Sequence, residues 1–246
     1  MKLCLAGTSH LYKENRKLIK DIPYVLESFY YFTDFQKPVI KGADLFLLDS
    51  GAFTFMNGAK GTVNWDEYIE KYIAFIKKNE VKNYFELDID VIVGYDKVKR
   101  IRAKIERETG AQSIPVWHKS RGIEEFKSLV DEYKYISIGG IVTKEITKKE
   151  YPILKKLVNY ASNKGVKVHG LGFTPKDVIN YKFYSVDSTS WTTCRRFGDV
   201  YRFNGKSIES ITPRNHGTKR YMQREIERIT INEWIKYQKY LNRKGF

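Results

Sequence analysis

Leu45-Phe-Leu-Leu-Asp-Ser-Gly51 decides the reading of this chain: four large apolar residues run straight into an acid, a hydroxyl and a glycine. Strict alternation of apolar and polar residues would mark a strand with one wet face. An unbroken apolar run marks a strand covered on both faces, as in a parallel sheet. The same grammar recurs along the chain. Tyr84-Phe-Glu-Leu-Asp-Ile-Asp90, Ile114-Pro-Val-Trp-His118, Tyr135-Ile-Ser-Ile-Gly-Gly140, Val166-Lys-Val-His-Gly-Leu-Gly172 and Phe183-Tyr-Ser-Val-Asp-Ser188 close on acidic, histidine, glycine or serine residues. Met1-Lys-Leu-Cys-Leu-Ala-Gly7 reads as the first strand.

Segments of helical period lie between these runs. Asn64 with Glu67 forms a capping box, and Tyr68, Tyr72, Phe75 and Ile76 then share one helical face. Further helices are expected from about Lys97 to Glu108, stopped by Gly110, from Ile123 to Tyr133, and from Tyr151 to Asn163. Thr174-Pro-Lys-Asp177 opens a short one, and Leu26 to Phe32 fits helix or strand. Such alternation over 246 residues predicts one α/β domain spanning 1–246, a single (β/α)8 TIM-type barrel. After Asp187 the pattern changes. Val200 to Ile211, turning at Asn204-Gly205, reads as a β-hairpin. The segment from about 208 to 246 is basic, with a helical tail from Lys219 in which Thr230 to Glu233 reads as another capping box.

Composition narrows the partners. With 44 Lys plus Arg against 29 Asp plus Glu, the net charge is +15, which favours a polyanion such as nucleic acid. Solvated lysine-rich helix faces would give the same count. The 18 tyrosines suit base stacking and a tyrosine-rich core alike. Nothing reaches the length of a membrane span or a signal sequence. Two cysteines, Cys4 and Cys194, make neither a disulfide framework nor a metal motif, so the expected setting is cytoplasmic.

In a barrel of this kind the strand C-termini converge on one mouth, where chemistry is placed. The expected site therefore contains Asp49, Asp88 or Asp90, His118, Gly139, Gly140, His169 and Asp187. Gly51 after Asp49 and Ser50 permits a sharp turn and close approach to a ligand. Glu86, Asp88 and Asp90 alternate onto one face of their strand. Any one aspartate alone could be a turn or helix cap; three at separate strand ends point to a site. Two carboxylates across a pocket suit displacement at a sugar anomeric carbon. Cys194 reads as a small buried residue.

Four of these segments, in order over roughly residues 45 to 190, resemble the tRNA-guanine transglycosylase family. Asp49-Ser-Gly-Ala-Phe-Thr54 is similar to its Asp-Ser-Gly-Gly-Phe-Gln motif, and Ser137-Ile-Gly-Gly-Ile-Val142 to its glycine-rich base-binding strand. Gly170-Leu-Gly-Phe-Thr-Pro-Lys-Asp-Val178 resembles its Gly-Val-Gly-Thr-Pro-Asp-Asp segment, and Asp187 falls where that family keeps its nucleophile. The family's zinc cluster of three cysteines and a histidine has no counterpart, and Ala52 and Thr54 depart from the motif. The chain is most similar to the compact, zinc-less, often phage-encoded members that act on DNA. The resemblance implies a (β/α)8 barrel that exchanges guanine in DNA for a free 7-deazaguanine base, without cofactor or metal, in the cytoplasm of a host if phage-borne. It implies Asp187 as nucleophile and Asp49 as general acid/base. Asp88, Ser50, Gly51, His118, Gly139, Gly140 and His169 would contact the base; the match at His118 is loose, because the family has glutamine in this strand. Arg195 and Arg196 beside the nucleophile, with Lys219, Arg220, Arg224 and Arg228 in the tail, are expected to meet phosphates. Action on tRNA is the near alternative. A metal-dependent barrel hydrolase with His118, His169, Asp49 and Asp187 as ligands is the more distant one, and a barrel that only binds nucleic acid is another.

Overall fold

Seven short strands of this chain pair in parallel, in the order β3-β2-β1-β7-β6-β5-β4. They are β1 (Lys2–Ala6), β2 (Tyr24–Ser28), β3 (Leu45–Asp49), β4 (Val116–Trp117), β5 (Tyr135–Ile138), β6 (Lys167–Gly170) and β7 (Ser185–Ser188). The computed structural model describes residues 1–56, 63–211 and 223–245. The sheet curls until its edges nearly meet, and Tyr84–Phe85 fills the gap. Phe85 N–H donates to Leu48 of β3 at 2.9 Å, and Ile114 N–H, just before β4, donates to Tyr84 at 2.8 Å. Both contacts are parallel bridges. The architecture is mixed α/β and compatible with a TIM-type barrel.

The expected strand Tyr84 to Asp90 is shortened. Beyond Phe85 the chain leaves the sheet, and Asp90 already opens a helical turn. Glu86, Asp88 and Asp90 turn onto cations there, and that replaces the ladder. Pro115, which has no N–H to donate, precedes the two-residue β4.

The helices are α1 (Lys37–Gly42), α2 (Ala52–Met56), α3 (Trp65–Asn79), α4 (Asp90–Val93), α5 (Tyr95–Thr109), α6 (Gly122–Glu132), α7 (Tyr151–Asn163), α8 (Thr193–Phe197) and α9 (Gln223–Lys244). Asn64 caps α3, its side chain accepting from Glu67 N–H at 3.2 Å. Gly110 ends α5 in the left-handed region, at φ 72°. Lys13–Asp21 is a 3-10 helix, and the helix expected from Thr174 forms only as a 3-10 turn at Val178–Asn180. Leu26 to Phe32 resolves as the end of β2 followed by a 3-10 turn.

The hairpin is present as β8 (Val200–Phe203) and β9 (Ile208–Ile211). Thr230 and Glu233 are not a cap, because they lie inside α9. Glu233 accepts from Phe203 N–H at 2.8 Å, so the tail helix uses that acid to hold the hairpin. Gln238 of α9 donates to the carbonyls of Leu3 and Tyr24 at 2.7 and 2.8 Å, tying the helix to the ends of β1 and β2 where the strands begin.

Two apolar layers follow from strand alternation. Leu3, Leu5, Val25, Phe46, Leu48, Trp117, Ile136, Ile138, Val168 and Val186 join the helices in the larger core. The alternate residues Cys4, Ala6, Tyr24, Leu26, Leu45, Leu47, Phe85, Ile114 and Val116 form a second cluster enclosed by the sheet. This inner plug is closed below by Tyr135 and Tyr184, whose rings meet edge to face. Among the described residues no helix is long and apolar enough to cross a membrane. Cys4 and Cys194 are both buried and free.

Candidate active site

The inner set continues past the apolar plug to the strand ends, and there it turns polar. Counting by twos from Leu45 and Leu47 reaches Asp49; from Ile114 and Val116 it reaches His118; from Tyr135 and Ser137 it reaches Gly139. On β6 and β7 the same parity brings in His169, Ser185 and Asp187. Asp49 and Asp187 thus face one space from strands separated by β2 and β1 in the sheet.

Asp187 is anchored through one oxygen. Its Oδ1 accepts from Gly172 N–H at 2.7 Å and from His169 Nε2 at 3.2 Å. The other ring nitrogen, Nδ1, lies 2.6 Å from Ser185 Oγ, which is 2.5 Å from the Tyr135 hydroxyl. His169 and Ser185 are fully buried. His169, expected at the base, therefore stands beneath the site with both nitrogens engaged.

Asp49 is in a different environment. Its Oδ2 accepts from Gly51 N–H at 2.9 Å, where the chain turns through the left-handed region at Gly51 (φ 84°). A Cβ at Gly51 would lie 2.7 Å from Tyr30 Cβ, so the site admits only glycine there without rearrangement. Burial raises the Asp49 carboxyl to about 6, the Gly51 N–H and Ser28 hydroxyl work against this, and the charges of Asp187 and Asp88 add to it. Ser50 is buried, and its carbonyl accepts from the Tyr68 hydroxyl at 2.6 Å.

Opposite, a buried ion network collects the acids of Tyr84–Asp90. Arg121 contacts all three: Glu86 at 3.2 Å, Asp88 at 2.6 Å and Asp90 at 2.9 Å. Glu86, fully buried, also pairs with Arg102 of α5 at 3.2 Å and accepts from Val116 N–H at 2.8 Å. The second oxygen of Asp88 meets His118 Nε2 at 2.7 Å, and His118 Nδ1 lies 3.1 Å from Glu145. Burial disfavours the imidazolium, but Asp88 and Glu145 outweigh it and push His118 up to about 9. Burial also opposes ionisation of Asp88, and His118 and Arg121 reverse that, holding it below the ordinary carboxylate range.

Gly139 and Gly140 serve this network. A Cβ on Gly139 would fall 2.7 Å from His118 Cε1, and one on Gly140 would fall 2.8 Å from Glu145 Oε2. Their bareness admits the His118–Glu145 pair. Arg121 and Glu145 escape a sequence reading because their partners lie 25 or more residues away in the chain, apart from the Val116 carbonyl that Arg121 also binds.

Comparison with family models gives no match, and comparison with curated proteins gives none. Among solved structures the chain is similar to one described as a complex of a GH113 β-1,4-mannanase. That similarity has 14% identity and a TM-score of 0.40, over 68% of this chain and 70% of the other. At that level it carries no argument about residues or substrate.

The described arginines among the expected phosphate contacts stand beside acidic side chains. Arg195 stacks over the Tyr12 ring at 4.3 Å and approaches Glu227 at 3.8 Å. Arg224 faces Glu14 at 3.5 Å and Arg228 faces Glu225 at 3.7 Å. Lys219 and Arg220 lie outside the described residues, as does the side chain of Arg196. Among the described residues no three His, Cys, Asp or Glu side chains are grouped to hold a metal ion.

Proposed function

We propose that this chain is a base-exchange transglycosylase that replaces guanine in DNA with a 7-deazaguanine, in a (β/α)8 barrel whose eighth stave is Tyr84–Phe85. The observation that carries the reading is the contrast between Asp187, held through one oxygen by two donors, and Asp49, raised to about 6, facing one mouth. One carboxylate is arranged as a nucleophile, and the other can hold or release a proton near neutral pH.

In the first step Asp187 attacks C1′ of the target nucleotide and the C1′–N9 bond breaks. The departing guanine takes its proton from the Asp49 carboxyl, leaving an aspartyl ester on the sugar. In the second step the Asp49 carboxylate removes the proton from N9 of the deazapurine, the nitrogen attacks C1′, and the Asp187 carboxylate departs. Asp88 is kept ionised by Arg121 and His118, so it is acceptor-only. Each of its oxygens retains a lone pair for the paired N–H donors of a guanine-type edge. The target base must leave the stack to reach such a pocket.

The test is incubation with DNA or tRNA and labelled deazapurine, followed by denaturing electrophoresis. Label should enter DNA, and a protein–DNA band should form with the wild type and not with Asp187→Ala. Equal bands in both proteins would place the nucleophile elsewhere, and label in tRNA alone would move the activity to RNA.

A further inference from the structure

Asp187 stands at the end of a hydrogen-bond chain that runs down through the interior of the sheet: Tyr135 hydroxyl, Ser185 Oγ, His169, Asp187. The groups resemble a serine–histidine–aspartate triad in reverse. Here the serine is sealed in the plug and the aspartate faces the mouth, so the chain cannot deliver a seryl nucleophile to substrate.

Its protons can be placed by elimination. An ionised Asp187 only accepts, so His169 Nε2 carries a hydrogen. Were the ring an imidazolium, Nδ1–H would donate to Ser185. Ser185 would then either donate to Tyr135 or accept from it as well, and in both cases one of the two hydroxyl hydrogens would be left with no acceptor among the described residues. Burying an unpaired donor is costly. With a neutral ring, Tyr135 donates to Ser185, Ser185 donates to Nδ1, Nε2–H donates to Asp187, and every donor is used.

We propose that His169 is a positioning residue for Asp187: a neutral imidazole, fixed as its Nε2–H tautomer by Ser185 and Tyr135, that reserves Oδ1 and leaves Oδ2 to react. The inference rests on the transglycosylase reading for what Oδ2 attacks, but the tautomer does not depend on it. A donor on a carboxylate weakens it as a nucleophile and improves it as a leaving group. His169 therefore matters more when the aspartyl ester is broken than when it is formed. Gly172 N–H, on the same oxygen, acts in the same sense.

The experiment compares wild type with His169→Phe, which keeps a ring but no donor, and His169→Gln, which can place an N–H where Nε2 stands. With guanine-containing DNA and a labelled deazapurine, His169→Phe should break the adduct about tenfold more slowly or worse, the scale of one hydrogen bond to a charged group. Formation should not slow in proportion, so adduct accumulates, and His169→Gln should recover most of the loss. Equal slowing of both steps, or no slowing of breakdown, would overturn the positioning role. If His169→Phe does not fold, Ser185→Ala, which frees Nδ1, should show the same accumulation in weaker form. Nitrogen-15 spectra of the histidine-labelled free protein read the tautomer directly. A neutral Nε2–H ring is expected near neutral pH, and an imidazolium or an Nδ1–H ring there would refute the proposal. If no wild-type adduct forms on any nucleic acid, the transglycosylase reading falls while the spectra still decide the hydrogen-bond chain.

Discussion

On the proposed reading, Asp49 carries opposite consequences for catalysis and for stability. Its carboxyl is raised from 3.8 to about 6, so between those values the folded chain keeps a proton that the unfolded chain has lost. Its contribution to stability therefore declines as pH rises through that window, by up to about 3 kcal/mol. Asp49→Asn should remove that penalty. Urea denaturation at pH 7 should show the variant more stable than wild type, while base exchange falls by about 10²–10⁴-fold, the usual worth of general acid–base help. A variant both less active and less stable would mean that Asp49 mainly holds the turn through Gly51. At this scale the sequence disclosed which strand ends were acidic, because the residue types stand next to the apolar runs that locate them. It did not disclose what those acids face. Arg121 lies in Lys-Ser-Arg-Gly, which reads as solvated charge, yet its side chain is buried among Glu86, Asp88 and Asp90. His169 looked the same in sequence as His118, and only packing separates a ring in the floor from a ring in the wall.

The strands were legible as elements because burial on both faces leaves unbroken apolar runs, and Leu45–Asp49, Tyr135–Ile138 and Ser185–Ser188 fall within the runs that announce them. Tyr84 to Asp90 is shorter as a strand than its pattern suggests for the opposite reason: its alternating acids imitate a strand face, but they pair with Arg102, Arg121 and His118 outside the ladder. β2 was ambiguous because Glu27 interrupts its apolar run. That residue is fully enclosed, bonded to the Thr8 hydroxyl, and burial raises it from 4.5 to about 8 in spite of Thr8 and Gln36. Between those values it stays protonated in the folded chain and ionises in the unfolded one, so its contribution to stability falls as pH rises from about 4.5 to about 8. Glu27→Gln should flatten that decline. Denaturation midpoints of the two proteins should converge at acidic pH and separate toward pH 8 with the variant higher; parallel curves would show that Glu27 is ionised in the fold.

At the scale of the molecule, the net charge of +15 predicts a steep fall in nucleic-acid affinity with added salt, since neutralised phosphates release counterions. Fluorescence anisotropy with an oligonucleotide between low and moderate salt would measure the slope, and a flat response would reduce the charge to a composition bias. Arg195, Arg224 and Arg228 already have acidic neighbours, so single substitutions there should alter the slope less than the total charge suggests. The barrel-like plan was readable from the count and spacing of runs, whereas the docking of α9 was not, because Gln238, Glu233 and Trp234 give no sign in sequence of which strands they meet. The inner plug has a consequence for the order of events. With Tyr24 and Phe85 in the cluster that the sheet encloses and Tyr135 and Tyr184 packed against it, the space that Asp49 and Asp187 face is floored by apolar side chains among the described residues. On the proposed reading the outgoing and incoming bases approach from the strand-end side and occupy the same seat, so they are not present together. Turnover should then follow ping-pong kinetics: double-reciprocal plots against DNA at several deazapurine concentrations should give parallel lines, and free guanine should compete with the deazapurine, not with the DNA.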